Sequence, residues 1–428
     1  MQVLNKAFTV HSKNRSDIQY LYDYYRGKTP IWDKTKEIRP EINHRICENR
    51  ANEIVNFKVG YCFGENIQYV RRGDDDSVTA GINWLNDWMF SVDKAAADKE
   101  IAEWMHICGT AYRMVLPPEN GDIEPISFYT LDPRDAFVVY YNGLGKRPVM
   151  GVKYVTDENG THTFSVYTDS MYFEIRNNVV ISAVPHVLNS VPIIEYPMDN
   201  ARLGAFEIVI PMLDAINQIE SNRVDDVEQF VNSIMAVLGA ELSEEIVEQI
   251  NQWKMMCLPE GTDAKYLSAP MRQSDAQVLV DSFYQNVLTI CGMPNRNGGS
   301  STSDTGSAVL LRDGWESAEA RAKSTELMFK RSERQFLRLA LRILSDTAGM
   351  RLPLTSIEIK FPRRYSDNLN TKAQALKMLL DCGVNPEVAF ATASIWNDPL
   401  DAFLQSRQYL EKWNLTPIEE DDFNEDTV

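Results

Sequence analysis

The chain has 428 residues, a formal net charge of −18 and a hydrophobic content of 44%. This length allows two or three folded domains, and the composition is that of an ordinary globular protein. No window approaches the ~18 uninterrupted apolar residues that a membrane-spanning helix requires. The acidic surplus argues against a protein that grips nucleic acid through a basic face, because phosphate contacts need cations. It favours either simple solubility or a surface that meets DNA without adhering to it.

Apolar residues at helical spacing dominate the N-terminal part of the chain and return at residues 76–108. The first helix is expected around residues 20–25. A break at residues 27–40 separates it from a second helix, which is expected to begin at Glu41. The N-terminal part of the chain is therefore predicted to be mainly helical.

Between residues 109 and 196 the apolar period changes to two, which is typical of β-strands. Asn-Gly and Asn-Asn pairs separate the short runs as hairpin turns. The pattern predicts an antiparallel meander, so the N-terminal half is α+β rather than a doubly wound parallel fold. The β-rich runs are residues 112–115, 137–140, 152–155, 164–167 and 173–175.

A second helical region begins at Gly204, where one apolar stripe continues for about thirty residues to Ile234. A compact insert is expected at residues 237–271, with a short helix at residues 243–253. Helical spacing then resumes at residues 274–291. The region therefore predicts two helices joined by a small insert.

A polar, glycine-rich loop follows at residues 293–306, and its small side chains offer nothing to bury. After it, residues 307–345 run without a proline at a spacing suited to a helix of roughly 60 Å. Gly314 lies near the start of this helix, where it costs about 1 kcal/mol relative to alanine and predicts a bend. A loop attached to such a rod is typical of a moving part rather than of a catalytic pocket.

The same long helix carries a row of cations at i, i+4 spacing: Lys330, Arg334, Arg338 and Arg342. Like charges at this spacing repel one another, so the row gives an isolated helix no stability. One interpretation is a solvated face, compensated by the pairs Glu319–Lys323 and Glu326–Lys330. The other is that the row meets acidic residues of a neighbouring copy, and the sequence leaves both open.

The C-terminal part of the chain begins with a lone strand at residues 357–362, which must pair with a strand earlier in the sequence. Three short helices are expected after it, at residues 371–381, 386–396 and 399–413. Residues 419–426 hold six carboxylates and are expected to be disordered.

Motifs for catalysis are missing from the sequence. Five histidines show no H-E-x-x-H pattern and no cysteine partner at zinc spacing. Ser300, Ser301 and Ser303 have no neighbouring histidine or lysine to activate them. Aspartates at residues 74–76 and 225–226 could bind a divalent metal, but a turn and a solvated helix face are the simpler interpretations. We therefore expect no enzymatic activity, no cofactor and no metal site.

Several sequence segments follow one another in a distinctive order. They are NRANEIVNFKVGYCFG at 49–64, GTAYR at 109–113, LDPRDAF at 131–137, VPIIEY at 191–196, LDAINQIESNRVDD at 213–226, GMP at 292–294 and TGSA at 305–308. In this order the chain resembles portal proteins of tailed bacteriophages, specifically the type of many long-tailed phages of Gram-positive hosts. No single motif is decisive, but the series covers about residues 20–415.

The resemblance implies a ring of about twelve copies around a channel at one capsid vertex. Double-stranded DNA would pass through the channel during packaging, retention and ejection. The implied partners are the terminase large subunit, a head–tail adaptor, and the major capsid and scaffolding proteins, with no membrane. The protein would belong to the virion, after assembly in the host cytoplasm. Because one copy cannot bury such long apolar stripes, most subunit contacts are expected from the long helix and the paired helices before it.

The resemblance also divides the chain into portal regions and implies an α+β portal fold. The regions are a wing at 1–203, stem helices at 204–235 and 273–292, a clip at 236–272, a tunnel loop at 293–306, a long kinked tunnel helix at 307–346, a wing strand at 347–369, a short helical crown at 370–416 and an acidic tail at 417–428.

Site residues follow from this division. The DNA-facing positions of the tunnel loop are Asn295, Arg296, Asn297, Gly298, Gly299, Ser300, Ser301, Thr302, Ser303 and Asp304. Gly314 is the expected hinge of the tunnel helix. The row Lys330, Arg334, Arg338 and Arg342 is the expected subunit interface. The clip is expected to dock its partners through Glu244, Glu245, Glu248 and Lys254.

Two other classes of protein stay open. One is a different phage head–tail connector or adaptor, although adaptors are usually shorter and lack the helix–loop–long helix series. The less favoured one is a metal-dependent enzyme of nucleic-acid metabolism. The missing phosphate-binding loop, metal-ligand spacing and basic cleft all count against that enzyme.

Overall fold

A computed structural model gives the chain a mixed architecture of helices and antiparallel sheets, which confirms the α+β class. It describes residues 1–72, 76–118, 125–231, 234–238, 263–267, 273–295, 314–362, 369–396 and 399–410. The helices are α1 (Gln2–Tyr25), α2 (Arg50–Phe63), α3 (Thr79–Ser91), α4 (Lys94–Cys108), α5 (Ile210–Val231), α6 (Gln273–Cys291), α7 (Trp315–Ala348), α8 (Leu369–Asp381), α9 (Pro386–Ala393) and α10 (Pro399–Leu410).

Helix α1 begins at Gln2, far earlier than the apolar pattern predicts. One buried position of its inner face is a histidine: the His11 ring stacks on Phe137 with 4.6 Å between ring centroids. Because histidine is a polar residue type, its position in the core interrupts the apolar spacing by which the sequence would reveal this helix. The buried residues of α1 are Leu4, His11, Ile18, Leu21 and Tyr24, at intervals of seven and three.

Residues 41–49 form no helix, so the prediction of a helix from Glu41 is wrong. This stretch lies beside α5, and its alternate backbone N–H groups donate to side chains of that helix. Two extended residues advance about 6.6 Å and four helical residues about 6.0 Å, so the two spacings match. The donor–acceptor pairs are His44–Asp225 at 2.7 Å, Ile46–Ser221 at 2.9 Å and Glu48–Asn217 at 3.0 Å.

The β-rich region forms two antiparallel sheets rather than the single meander that the alternation predicts. The first sheet has five strands, and their order in the sheet follows the chain: β4 (Ala136–Tyr140), β5 (Pro148–Thr156), β6 (His162–Tyr167), β7 (Met171–Arg176) and β8 (Val179–Pro185). The second has the order β3-β2-β9, from β2 (Thr110–Leu116), β3 (Ser127–Leu131) and β9 (Ile193–Pro197). Strands β2 and β9 are buried on both faces, so they carry little alternation to reveal the separate sheet.

The lone strand predicted near the C-terminal end does pair with an earlier one. Strand β12 (Ile357–Lys360) lies antiparallel to β1 (Gln68–Arg71), with Tyr69 opposite Ile359. A further pair, β10 (Ile234–Leu238) with β11 (Asp263–Leu267), lies in the predicted insert. The helix predicted at residues 243–253 lies outside the described residues.

The long helix α7 runs through the main hydrophobic core. Phe329, Phe336 and Ala340 are fully buried, and each contributes to one cluster shared with α2, α4 and β9. The apolar stripe of this helix is therefore covered within one chain. The expectation that this stripe needs a neighbouring copy to cover it is wrong, because β2, β9 and α2 of the same chain cover it.

Gly109 connects α4 to β2 and offers a sharp test of this packing. Its φ is +77°, and a Cβ there would lie 2.0 Å from the Arg202 carbonyl oxygen. We expect Gly109→Ala to lower the free energy of unfolding by more than about 2 kcal/mol, through backbone strain plus the clash. Urea titration measures the change.

Gly349→Ala is the matched control. Gly349 ends α7 with φ +68°, but nothing lies within 4 Å of a Cβ at this position. Its substitution adds the strain without the clash, so about 1 kcal/mol is expected. Equal losses in the two variants would show that the contact with Arg202 is unimportant.

Candidate functional site

The predicted DNA-facing loop joins the described structure at two ends. Asn295 lies within the described ranges, whereas residues 296–304, with the other predicted DNA-facing positions, lie outside them. At the first end, Gly292 follows α6 with φ +64°. The Met293 N–H then donates to the Leu288 carbonyl at 2.8 Å, which closes the helix.

At the second end, α7 begins at Trp315, directly after Gly314. The φ of Gly314 is +81°, which a continuous α-helix cannot contain. Gly314 therefore precedes the described helix, in contrast to the single predicted helix over residues 307–346. Residues 307–313 lie outside the described residues, and the hinge role of Gly314 stays a prediction.

Halfway along α7, the carboxylate of Glu333 is buried in an ionic cluster that joins this helix to α4 and β2. It pairs with Lys94 Nζ at 2.8 Å and with Arg113 Nη1 at 3.5 Å. Asp98 lies 2.6 Å from each of the same two cations. Two carboxylates therefore face two cations, and the cluster is neutral in a region of low dielectric.

Two tyrosines complete the cluster. Tyr69 Oη donates to Glu333 Oε1 at 2.6 Å, and Tyr196 Oη donates to Oε2 at 2.8 Å. Burial alone would raise the pKa of Glu333, but Lys94 and then Arg113 hold that pKa below its usual range. Burial raises the pKa of both tyrosine hydroxyls well above the ordinary value. Both hydroxyls therefore stay protonated donors to an ionised carboxylate.

Sequence reasoning missed this cluster. Lys94 and Asp98 stand at i, i+4 on a helix, a spacing that usually indicates an exposed pair. The available signal was Arg113, a charged residue at an inward position of the buried strand β2 and the last residue of the GTAYR segment. An arginine there requires buried carboxylates as partners.

Asp225 is buried on α5, so the expectation of a solvated face is wrong for this residue. Lys34 and Lys36 place their ammonium groups 2.8 and 3.0 Å from its Oδ2. Burial opposes the charge, yet hydrogen bonds from Lys34, the His44 backbone and Lys36 keep the pKa of Asp225 below its usual range. Asp225 therefore fixes the segment beside α5. Asp74 and Asp75 lie outside the described residues, within which no cluster of three or more potential metal ligands occurs.

The predicted row of cations on α7 is exposed only in part. Lys330 lies 3.9 Å from Glu326 and over the Phe361 ring, and Arg342 donates to the Leu188 carbonyl at 2.7 Å. In the part of the chain that the structure describes, Arg334 and Arg338 have no ion-pair or hydrogen-bond partner. The middle of the row is therefore available to another molecule.

A cavity of about 1500 Å³ opens beside this row, between α7 and loops of both sheets. Six cations and three carboxylates line it, which makes it locally basic in an acidic protein. These residues are Lys146, Arg147, Arg202, Arg331, Arg338 and Arg342, with Asp169, Glu195 and Asp199.

The paired helices α5 and α6 are acidic and partly uncovered. Together they contain seven carboxylates and one arginine. The first half of the α5 stripe is buried, as at Leu213 and Ile216, whereas Val227 is 43% exposed and Val278 on α6 is 69% exposed. The C-terminal end of α5 and the N-terminal end of α6 therefore present aliphatic and acidic surface together.

The residues predicted to dock partners, Glu244, Glu245, Glu248 and Lys254, all lie outside the described residues, as does the acidic segment at 417–428. No described helix is long and apolar enough to cross a membrane.

Helices α5 and α6 are paired and acidic, and the long helix α7 follows them in the chain. The sequence pattern of one family, "Phage portal protein, SPP1 Gp6-like", matches residues 4–390. The chain belongs to this family, which consists of structural proteins.

One similar solved structure is a chain of the "Neck of empty GTA particle computed with C6 symmetry". It is 13% identical, with a TM-score of 0.47, over 81% of this chain and 90% of that chain. No curated protein sequence matches this chain.

Removal of the Glu333 carboxylate tests the ionic cluster. In Glu333→Ala, Lys94 and Arg113 outnumber Asp98, so we expect a loss of about 3–5 kcal/mol in the free energy of unfolding. Asp346→Asn, at an exposed position of the same helix, should change it by less than about 0.5 kcal/mol. Urea titration compares them, and a loss below about 1 kcal/mol for Glu333→Ala contradicts a stabilising cluster.

Proposed function

We propose that this protein is a portal subunit that closes into a ring of about twelve copies around a DNA channel at one capsid vertex. Family membership over residues 4–390 carries the proposal. In this role the ring admits double-stranded DNA during packaging, retains it and releases it at ejection. The protein itself catalyses no reaction and uses no cofactor.

We assign the described elements to portal regions on the basis of the family. The helices and sheets up to residue 203, with β12, form the wing, and α5 and α6 form the stem. Strands β10 and β11 belong to the clip, and α7 is the tunnel helix. Helices α8, α9 and α10 form the crown, with the acidic tail beyond residue 416. Residues 293–306 are the tunnel loop that faces DNA.

The charge of the stem supports a channel that does not hold DNA. With seven carboxylates against one arginine, α5 and α6 present few partners to phosphate. We therefore expect the stem to bind DNA weakly, because affinity for DNA depends on protein cations that displace its counterions. Arg296 is the basic residue of the predicted DNA-facing set, so the tunnel loop also offers little charge attraction.

Subunit contacts are proposed at two surfaces. The exposed aliphatic ends of the stem, including Val227 and Val278, remain to be covered by a neighbour. The unpaired Arg334 and Arg338 are suited to carboxylates of an adjacent copy. Because a ring interface joins two different surfaces of identical subunits, acidic stem and basic helix are natural complements.

The clip is proposed to dock the terminase large subunit and later the head–tail adaptor, through Glu244, Glu245, Glu248 and Lys254. Contacts with the major capsid and scaffolding proteins would be made from the wing and crown. The protein would act in the virion after assembly in the host cytoplasm.

Reversal of the basic row tests the interface. We expect Arg334→Glu with Arg338→Glu to raise the protein concentration needed for ring formation at least about tenfold, because repulsion replaces pairing. Analytical ultracentrifugation measures assembly, and negative-stain images show whether rings have an axial hole.

The matched control is Lys6→Glu with Lys13→Glu, two exposed lysines of α1 with the same total charge change. Equal assembly of both variants would remove the row from the interface. A folded wild-type chain that stays monomeric at all concentrations would contradict the ring itself.

Deletion of residues 297–303 tests the tunnel loop. The family role predicts particles that assemble normally but package less DNA or lose it, since the loop is the proposed contact with DNA. The length of encapsidated genome, measured by gel electrophoresis, gives the result. Unchanged packaging and retention would exclude the loop from the mechanism.

A further inference from the structure

Both ends of the tunnel loop are held by α2, a helix to which the sequence assigned no role. Phe57, Lys58 and Tyr61 of this helix contact the two ends. They lie within about one helical turn, or roughly 6 Å along the axis. The residues between the two ends therefore leave and return at nearly one place on α2.

The first end is held by a lysine. Lys58 Nζ donates to the Cys291 carbonyl at 2.6 Å, and this carbonyl belongs to the last turn of α6. Such carbonyls lack helical partners and carry the negative end of the helix dipole, so an ammonium group suits them. Burial lowers the pKa of Lys58, which shows that this placement costs solvation.

The second end is held by aromatic rings. The Trp315 indole lies 6.2 Å from the Phe57 ring and 6.1 Å from the Tyr61 ring, between centroids. Tyr61 Oη also donates to Glu319 Oε2 at 2.8 Å, one turn further along α7. The start of α7 is thus fixed on α2 by both apolar and polar contacts.

The N-terminal end of α2 is fixed to the stem helix α6. Tyr284 of α6 donates to Glu53 Oε1 at 2.7 Å, and the Arg50 guanidinium lies 4.1 Å from the Tyr284 ring centroid. Helix α2 therefore contacts α6 near both of its own ends, and it also contacts the start of α7. It bridges α6, the helix that leads into the loop, and α7, the helix that follows the loop.

We propose that α2 positions the tunnel loop, with Lys58 and Trp315 as the positioning residues through which the loop ends are held. This inference rests on the proposed function of the loop. It adds that the loop's access to DNA depends on contacts outside the channel lining. Lys58 acts through the Cys291 carbonyl and does not itself touch DNA.

The test is Lys58→Met, which keeps an apolar side chain of similar length and removes the ammonium. Trypsin cleavage after Arg296, within the tunnel loop, reports release of the loop end in the folded protein. We expect about a tenfold faster cleavage, which corresponds to the loss of one charged hydrogen bond. Lys58→Arg, which restores a donor, should return the rate to within about twofold of wild type.

Two controls separate positioning from general destabilisation. Lys99→Met removes an exposed lysine of α4, 62% exposed and far along the chain from the loop, and should change nothing. Cleavage after Lys146, at an exposed turn of the five-stranded sheet, should stay constant in every variant. Parallel acceleration at Lys146 and Arg296 would overturn the proposal, since it indicates global unfolding.

Genome retention links the inference to function. Particles with Lys58→Met or Trp315→Ala should lose packaged DNA, and Lys58→Arg should retain it. If deletion of residues 297–303 changes retention but Lys58→Met does not, the loop functions and this inference fails. If the deletion has no effect, the proposed loop function fails, while cleavage after Arg296 still tests whether Lys58 holds the loop end.

Discussion

The Glu333 carboxylate can remain buried only while Lys94, Arg113 and the two tyrosine hydroxyls surround it. These groups come from α4, β1, β2 and β9, so one side chain of α7 requires four elements to stay in register. The requirement also fixes the rotation of α7 about its axis. Because each helical residue advances about 100°, holding Glu333 inward keeps Arg334 and Arg338 outward. A buried interaction thus decides which surface is available to a neighbour.

A second set of polar contacts fixes residues 41–49, for which the apolar spacing wrongly predicted a helix. Residues 41–49 contain aliphatic side chains at helical spacing, yet Asn217, Ser221 and Asp225 on α5 accept their backbone N–H groups. The side chains of α5 replace the partners that a helix would supply, and Lys34 neutralises the buried carboxylate. Periodicity detects which side chains are apolar, but it cannot detect a backbone paired with a distant helix.

The sequence predicted elements well where one face is buried and one is exposed. This holds for β4–β7, for β12 and for the helices after residue 369, whose alternation or amphipathic spacing is plain. It predicted β2 as a strand but not the separate sheet of β2 and β9, which are buried on both faces, and it missed β8 and the early start of α1. The candidate site divides in the same way. The exposed row on α7 was visible as charge, whereas Lys58 and Arg113 have partners that come from remote segments and only the fold reveals them.

The distribution of charge connects these observations to the proposed channel. The described structure buries seven charged side chains, the cations Lys94 and Arg113 and five carboxylates, so buried groups account for only a small part of the total of −18. Most of the surplus is therefore carried by residues outside this buried set. It is also uneven, because α5 and α6 hold seven carboxylates and one arginine, while α7 holds seven cations and five carboxylates. Such separation favours attraction between unlike faces of adjacent copies. It also leaves the acidic helices to repel a polyanion, and both effects weaken with added salt.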